Sequence, residues 1–298
     1  MEADSETITL LDAGGGVVVD FAYSDQTNQG WPERADGDGS SLQIIDSQAD
    51  YDEPTNWRPS TEINGSPGRA ADPPWNGLVI NEVLSRPTVA PGDQIELFNP
   101  TAEAISVAGY FLSDSAASVD ALQKFSLPPD TVASGGYLRF DEIDFNAVGD
   151  ENGFGLSGIR GDQIYLTVGA NGAPTHFIDS VSFGAARIGE SFGRYPNGSG
   201  RLTPMQNNTF GELNSAPRVG PAVISELNYA PAAPSAAALA IHPGLTVDDL
   251  EFVEIHNPGP AQIELTEWRL RGGVDYDFAQ GGVLATGQTI VVVPFNPD

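Results

Sequence analysis

Apolar side chains recur at every second position in short runs, and Asn-Gly and Asp-Gly pairs separate the runs. Leu78-Val79-Ile80-Asn81-Glu82-Val83, Gln94-Ile95-Glu96-Leu97-Phe98 and Gln163-Ile164-Tyr165-Leu166-Thr167-Val168 read as strands, because alternate residues of a strand share a face. Tyr137-Leu138-Arg139-Phe140 and Phe177-Ile178-Asp179-Ser180-Val181-Ser182-Phe183 alternate in the same way. Thr289-Ile290-Val291-Val292-Val293 is continuously apolar and reads as a strand buried on both faces. Asn-Gly stands at 64–65, 76–77, 152–153, 171–172 and 197–198, and Asp-Gly at 36–37 and 38–39. Glycine there supplies the positive φ that tight hairpin turns need. Many short strands with frequent turns predict an all-β sandwich. The best helix candidate is Ser235–Ile241, boxed in by Pro234 and Pro243 and limited to a turn or two.

The charge balance excludes whole classes of partner. Thirteen Lys and Arg stand against 41 Asp and Glu in 298 residues, a formal charge of −28. A nucleic-acid binder needs a basic stripe, and an anionic membrane surface repels such a chain. No apolar run approaches the ~20 residues of a membrane span, so no membrane insertion is expected. The N-terminal Met1-Glu2-Ala3-Asp4-Ser5-Glu6 is acidic and lacks the order of a signal peptide. With no cysteine there is no disulfide, thiolate metal site or cysteine nucleophile.

Internal repeats set the domain count. Val79-Ile80-Asn81-Glu82-Val83-Leu84 returns as Val223-Ile224-Ser225-Glu226-Leu227-Asn228. Ile95-Glu96-Leu97-Phe98-Asn99-Pro100 returns as Val253-Glu254-Ile255-His256-Asn257-Pro258, and Val107-Ala108-Gly109-Tyr110-Phe111-Leu112 as Leu265-Thr266-Glu267-Trp268-Arg269-Leu270. An Ala/Pro-rich insertion around 230–247 lengthens the second copy. Glu6–Leu10 matches Asp162–Leu166, and Val19–Tyr23 matches Ile178–Ser182. The expected organisation is a back half at 1–70, a whole unit at 76–217 and a front half at 220–298.

These residues resemble the lamin tail domain in its bacterial form. The resemblance rests on Ile80-Asn81-Glu82-Val83, Ile95-Glu96-Leu97-Phe98-Asn99, Val107-Ala108-Gly109-Tyr110-Phe111-Leu112 and Gly135-Gly136-Tyr137-Leu138. It continues through Gly153-Phe154-Gly155-Leu156-Ser157, Gly161-Asp162-Gln163-Ile164-Tyr165-Leu166 and Ser191-Phe192-Gly193-Arg194-Tyr195-Pro196-Asn197-Gly198. In the first unit Trp31-Pro32, Ala35–Leu42, Asn56-Trp57 and Gly65-Ser66-Pro67-Gly68 fit another ending of the family. The resemblance implies tandem immunoglobulin-like β-sandwiches, one complete copy flanked by two partial ones, and an extracellular or cell-surface location. Glu267 departs from the glycine usual before the aromatic residue. Each half alone would expose unpaired edges. The halves are therefore expected to complete each other, in one chain or head-to-tail between chains, and the chain to be a piece of a longer array.

Chemistry-bearing residues are few. Asp36-Gly37-Asp38-Gly39-Ser40 places alternate oxygens as a calcium loop does, which makes Asp36 and Asp38 the candidate metal ligands. Ser41 and Ser47 stand where a helix–loop–helix calcium loop needs Gly and Glu, and a hairpin turn is the competing reading. Asp141–Asp144 and Asp150-Glu151 form a second acidic loop. Glu82 and Glu96, repeated as Glu226 and Glu254, have the composition of an acid–base pair. Their repetition in each module points instead to solvent-facing scaffold residues. His176, His242 and His256 lie in different segments without metal spacing, and no Gly-x-Ser-x-Gly elbow occurs. Trp31, Trp57, Trp75 and Trp268 suit sugar stacking but fall at motif positions and linkers, where packing is expected. No catalytic residue and no cofactor other than the candidate calcium is assigned. The expected function is a non-catalytic spacer, anchoring or adhesion module of a bacterial surface or secreted protein, its protein or envelope-polysaccharide partner unidentified. Two alternatives are a calcium- or glycan-binding adhesion module and part of a secreted hydrolase.

Overall fold

The computed structural model describes residues 5–25, 29–75, 77–271 and 273–295, with the side chain of Ser5 left aside. Met1–Asp4 of the acidic N-terminus and Asn76 of the 76–77 turn lie outside the described residues. The chain divides into two compact units, Met1–Pro217 and Arg218–Asp298.

The first unit opens with a hairpin, β1 (Ser5–Leu11) and β2 (Val17–Ser24), and a second, short one, β3 (Leu42–Ile44) and β4 (Trp57–Pro59). A sandwich follows, made of β5 (Val79–Leu84), β6 (Gln94–Phe98), β7 (Ile105–Ser106), β8 (Tyr110–Ser113), β9 (Phe125–Ser126), β10 (Thr131–Val132) and β11 (Tyr137–Asp141). It is completed by β12 (Asp162–Ala170), β13 (Ala173–Phe183), β14 (Phe192–Tyr195) and β15 (Arg201–Pro204). One sheet runs β11-β6-β5-β14-β15, the other β13-β12-β8-β9, and β10 pairs with β7. The pairing is antiparallel throughout. The β12–β13 turn uses Asn171 at φ 57° and Gly172 at φ 80°, the left-handed pair that matches strand twist in a two-residue hairpin.

The core of this sandwich gathers Ile80, Val83, Ile95, Leu97, Leu112, Ile164 and Leu166, all fully buried, with Phe140, Phe145 and Phe154 at one end. Phe145 is delivered by a single helical turn, α1 (Glu142–Phe145), closed by a capping box between Asp141 and Asp144. The N-terminal segment is fastened to β13. Phe177 N–H donates to Thr61 O at 2.8 Å and Ile63 N–H to Thr175 O at 3.0 Å. Behind that contact Trp31 and Trp57 pack together at 6.1 Å, and Phe21 stacks on Trp57 at 5.1 Å.

The second unit contains β16 (Val223–Asn228), β17 (Phe252–His256), β18 (Ile263–Glu264), β19 (Arg269–Leu270), β20 (Tyr276–Asp277), β21 (Val283–Leu284) and β22 (Thr289–Val292). Its main sheet is β16-β17-β22, with small pairs β18–β21 and β19–β20. The expected helix is present as α2 (Ala236–Ile241), and the Ser235 hydroxyl caps it by accepting from Ala238 N–H. One expectation is corrected: β22 is not buried on both faces, and Val291 is 49% exposed. β22 is an edge of its sheet: Val292 joins the small core of Val253, Ile255, Ile263, Leu265 and Leu284, and Ile290 packs against it half-buried.

Repeated sequence becomes repeated geometry. β5–β6 and β16–β17 carry the same bulge, between Ile80 and Glu82 and between Ile224 and Glu226. Asn99 and Asn257 are both fully buried, and each amide bonds loop and strand carbonyls, Glu103 and Val132 in one unit, Ala261 and Leu284 in the other.

Candidate functional site

Two places in the first unit concentrate chemistry-bearing side chains. The first lies on β5 and β6, where Glu82 and Glu96 are direct cross-strand partners. They are not solvent-facing, as expected from the repeat, but 0% exposed. The bulge is the local cause. It resets the alternation, so Ile80 and Val83, of opposite parity, both enter the core. The long-range cause is the segment 189–215, which lies over both carboxylates. Ser191 and Thr209 hydroxyls and Thr209 N–H donate to Glu82, while Asn81 Nδ2 and Gly211 N–H donate to Glu96. Asn81, Asn197 and Asn214 extend the network, with Gly198 N–H donating to Asn81 Oδ1 at 3.0 Å and Asn214 N–H to Asn197 Oδ1 at 3.0 Å.

Burial raises both carboxyls, opposed by these hydrogen bonds, and brings Glu96 to about 7. Neighbouring Glu82 adds to the shift on Glu96. Two carboxyls with raised affinity for protons are what an acid–base catalyst uses. Here solvent reaches neither, and each is held by donors of its own chain. The arrangement ties a loop to a sheet.

The second place is a cleft of about 510 Å³ between residues 30–38 and strands β12 to β15. Arg34, Asp38, Gln163, Tyr165, Ser180 and Arg201 are among its lining residues. Arg34 Nε donates to Ser40 Oγ, Nη1 to Ser180 Oγ and Nη2 to Ser60 O, and its guanidinium lies 4.3 Å from the Phe177 ring centre. Desolvation brings Arg34 down to about 10, against the pull of Asp179, Tyr165 and Asp38. Tyr165 donates to Asp38 Oδ2 at 2.7 Å. Burial raises Asp38, opposed by that hydrogen bond, and burial together with Asp38 raises Tyr165.

The candidate calcium ligands are thus differently placed. Asp38 turns into the cleft onto Tyr165, while Asp36 is exposed at the end of a 3-10 turn, its N–H donating to Glu33 O. Among the described residues no three His, Cys, Asp or Glu side chains group as a metal site. His176 meets Asp72 at 3.2 Å and Thr175, His256 meets Thr289, and His242 N–H closes α2. Trp75 is 46% exposed and Trp268 packs on the small core of the second unit. Sequence reasoning missed Arg34 and Tyr165. The available signal was scarcity, since an arginine is one of only 13 basic residues in a chain of charge −28.

Residues 215–297 match the family model of the lamin tail domain. No curated protein and no solved structure matches the chain.

Proposed function

Residues 215–297 carry a lamin tail domain, and on that premise we propose that the chain is a non-catalytic spacer, anchoring or adhesion module of a bacterial surface or secreted protein. The family is an immunoglobulin-like interaction module, consistent with a structural role. In this reading residues 76–217 form a further, complete copy, and 1–70 supply the back half of another. The observation that carries the reading is the Glu82–Glu96 pair. The repeated Glu82–Glu96 carboxylate pair is fully buried in the first unit and accepts hydrogen bonds from Ser191, Thr209, Asn81 and Gly211. Its chemistry is consumed in holding the sandwich closed. Surface charge of one sign keeps such a module soluble and limits nonspecific contact.

Protease treatment of intact source cells tests the location. Release of this chain's peptides before lysis supports it, and release only after lysis overturns it. A second reading, a glycan- or calcium-binding adhesion module, is favoured by the polar cleft at Arg34, Asp38 and Tyr165. A rise in Tm with envelope polysaccharide or calcium, lost in Asp36→Ala/Asp38→Ala, would select it.

A further inference from the structure

The two units treat one and the same strand pair differently. In the first, β5 is flanked by β14, with Phe192 opposite Val83 and Gly193 opposite Glu82. In the second, β16 pairs with β17 alone among the described residues. Ile80 and Val83 are 0% exposed, whereas Ile224 and Leu227 at the matching positions are 63% and 55% exposed. Glu226 is likewise exposed where Glu82 is buried. A strand with a free hydrogen-bonding edge and exposed core residues is a template for another strand.

The N-terminal segment holds the matching cover. β3–β4 repeats β14–β15 in register: Leu42 opposes Pro59 as Phe192 opposes Pro204. Ser60 N–H donates to Ser41 O at 2.8 Å as Met205 N–H donates to Ser191 O at 2.9 Å. The following turns agree as well. Arg69 N–H donates to Ser66 O and Glu212 N–H to Thr209 O, and Gly68 and Gly211 both have positive φ, 75° and 87°. Ser41, Ser66 and Gly68 therefore correspond to Ser191, Thr209 and Gly211, the three residues of the cover that donate to Glu82 and Glu96.

Where β14 has β5 beside it, β3 has an empty groove of about 430 Å³, walled by Leu42, Gln43 and Ile44 on one side and Gly65, Ser66 and Arg69 on the other. Among the described residues β3 pairs with β4 alone. Gln43 Oε1, in the groove wall, is buried and accepts no hydrogen bond there. The donors are set for a strand bearing two carboxylates, and the strand that bears them is β16 with its neighbour β17.

We propose that β16 of one copy seats in the β3 groove of a second copy, so that Ser41 and Ser66 donate to Glu226 and the Gly68 N–H to Glu254. Leu42 then covers Leu227, and β4-β3-β16-β17-β22 forms one five-stranded sheet like β15-β14-β5-β6-β11. The contact joins two different surfaces, so copies exchange strands reciprocally, close into a ring or propagate head-to-tail. The occupant is a copy of this chain because only a repeat of the β5–β6 carboxylate pair fits the donor set, and β16–β17 is that repeat.

Light scattering of the full chain over a range of concentrations tests this, with salt added to screen the net charge. The molar mass is expected to climb from the 31.4 kDa of one chain. Leu227→Asp blocks the strand and Leu42→Asp blocks the groove, and each variant alone is expected to stay at the mass of one chain. An equal mixture is expected to give a species of twice that mass and none larger, since one free strand and one free groove remain. Glu226→Lys and Ser66→Phe repeat the two arms at positions exposed or half-exposed in the free chain, guarding against a variant that fails to fold. A wild-type mass that stays constant overturns the proposal, as does association that survives in the Leu227→Asp and Glu226→Lys variants, or a mixture that never exceeds one chain.

Discussion

Glu82 and Glu96 face each other across β5 and β6, fully buried, and between them accept hydrogen bonds from residues more than a hundred positions along the chain. A pair of carboxylates buried side by side has a defined consequence for stability. Folded Glu96 keeps its proton up to about pH 7, whereas the unfolded chain loses it in the ordinary carboxylate range. Between those limits the folded state binds more protons, so stability is highest below the window and falls as pH rises through it. Asp93, raised by burial to about 6, acts in the same direction. The loss due to Glu96 is on the order of 3 kcal/mol. Denaturant unfolding of the first unit at pH 5 and pH 8 checks this. Glu96→Gln is expected to flatten the dependence, leaving the contributions of the other raised carboxyls, Asp93, Glu82 and Asp38 among them, and an unchanged slope in that variant contradicts the assignment.

Arg194 ties three strands together. Its Nη2 donates to both oxygens of Asp179 on β13, Nε donates to Ile80 O on β5, and Nη1 to Gly200 O. Asp179 in turn accepts from Ile80 N–H at 2.7 Å. Removing one partner leaves a desolvated charge, so Arg194→Ala is expected to lower the stability of the first unit by about 3–5 kcal/mol. Arg194→Lys keeps the charge but loses the fork, and equilibrium unfolding should place it between the two.

Glu267 occupies a glycine's conformation. Gly109 has φ 82° and Glu267, its counterpart in the repeat, φ 63°. A left-handed backbone costs a residue with a Cβ about 1–2 kcal/mol, partly offset by the greater freedom of glycine in the unfolded chain. Glu267→Gly is therefore expected to stabilise the second unit by ~0.5–1 kcal/mol, read from hydrogen exchange at Val253 and Ile255. Gly109→Ala runs the other way, since a Cβ there would lie 2.9 Å from Gly169 O.

Local order was legible in the sequence, and long-range cover was not. Alternation located β6 at Gln94–Phe98, Asn171-Gly172 marked the β12–β13 hairpin, and Ser235 marked the start of α2. These features depend on neighbours within a few positions. The burial of Glu82 depends on a bulge, invisible in a pattern of period two, and on Thr209, 127 positions away. The exposure of Val291 has the converse origin: an apolar run reads as doubly buried, yet burial needs a second layer that the run itself does not specify. The cleft at Arg34 was hidden for the same reason, because its partner Ser180 is 146 positions distant.

The most direct test of the account is hydrogen exchange of the full chain, dilute and concentrated, comparing Ile80–Val83 with Ile224–Leu227. In dilute solution the β5 amides should be strongly protected and those of β16 should exchange fast wherever they are not bonded to β17. At high concentration protection should rise in β16 and in Leu42–Ile44 together. Protection of β16 equal to that of β5 at every concentration, or a β16 that stays open while the protein is concentrated, would contradict the view that one strand pair is covered in the first unit and awaits its cover in the second.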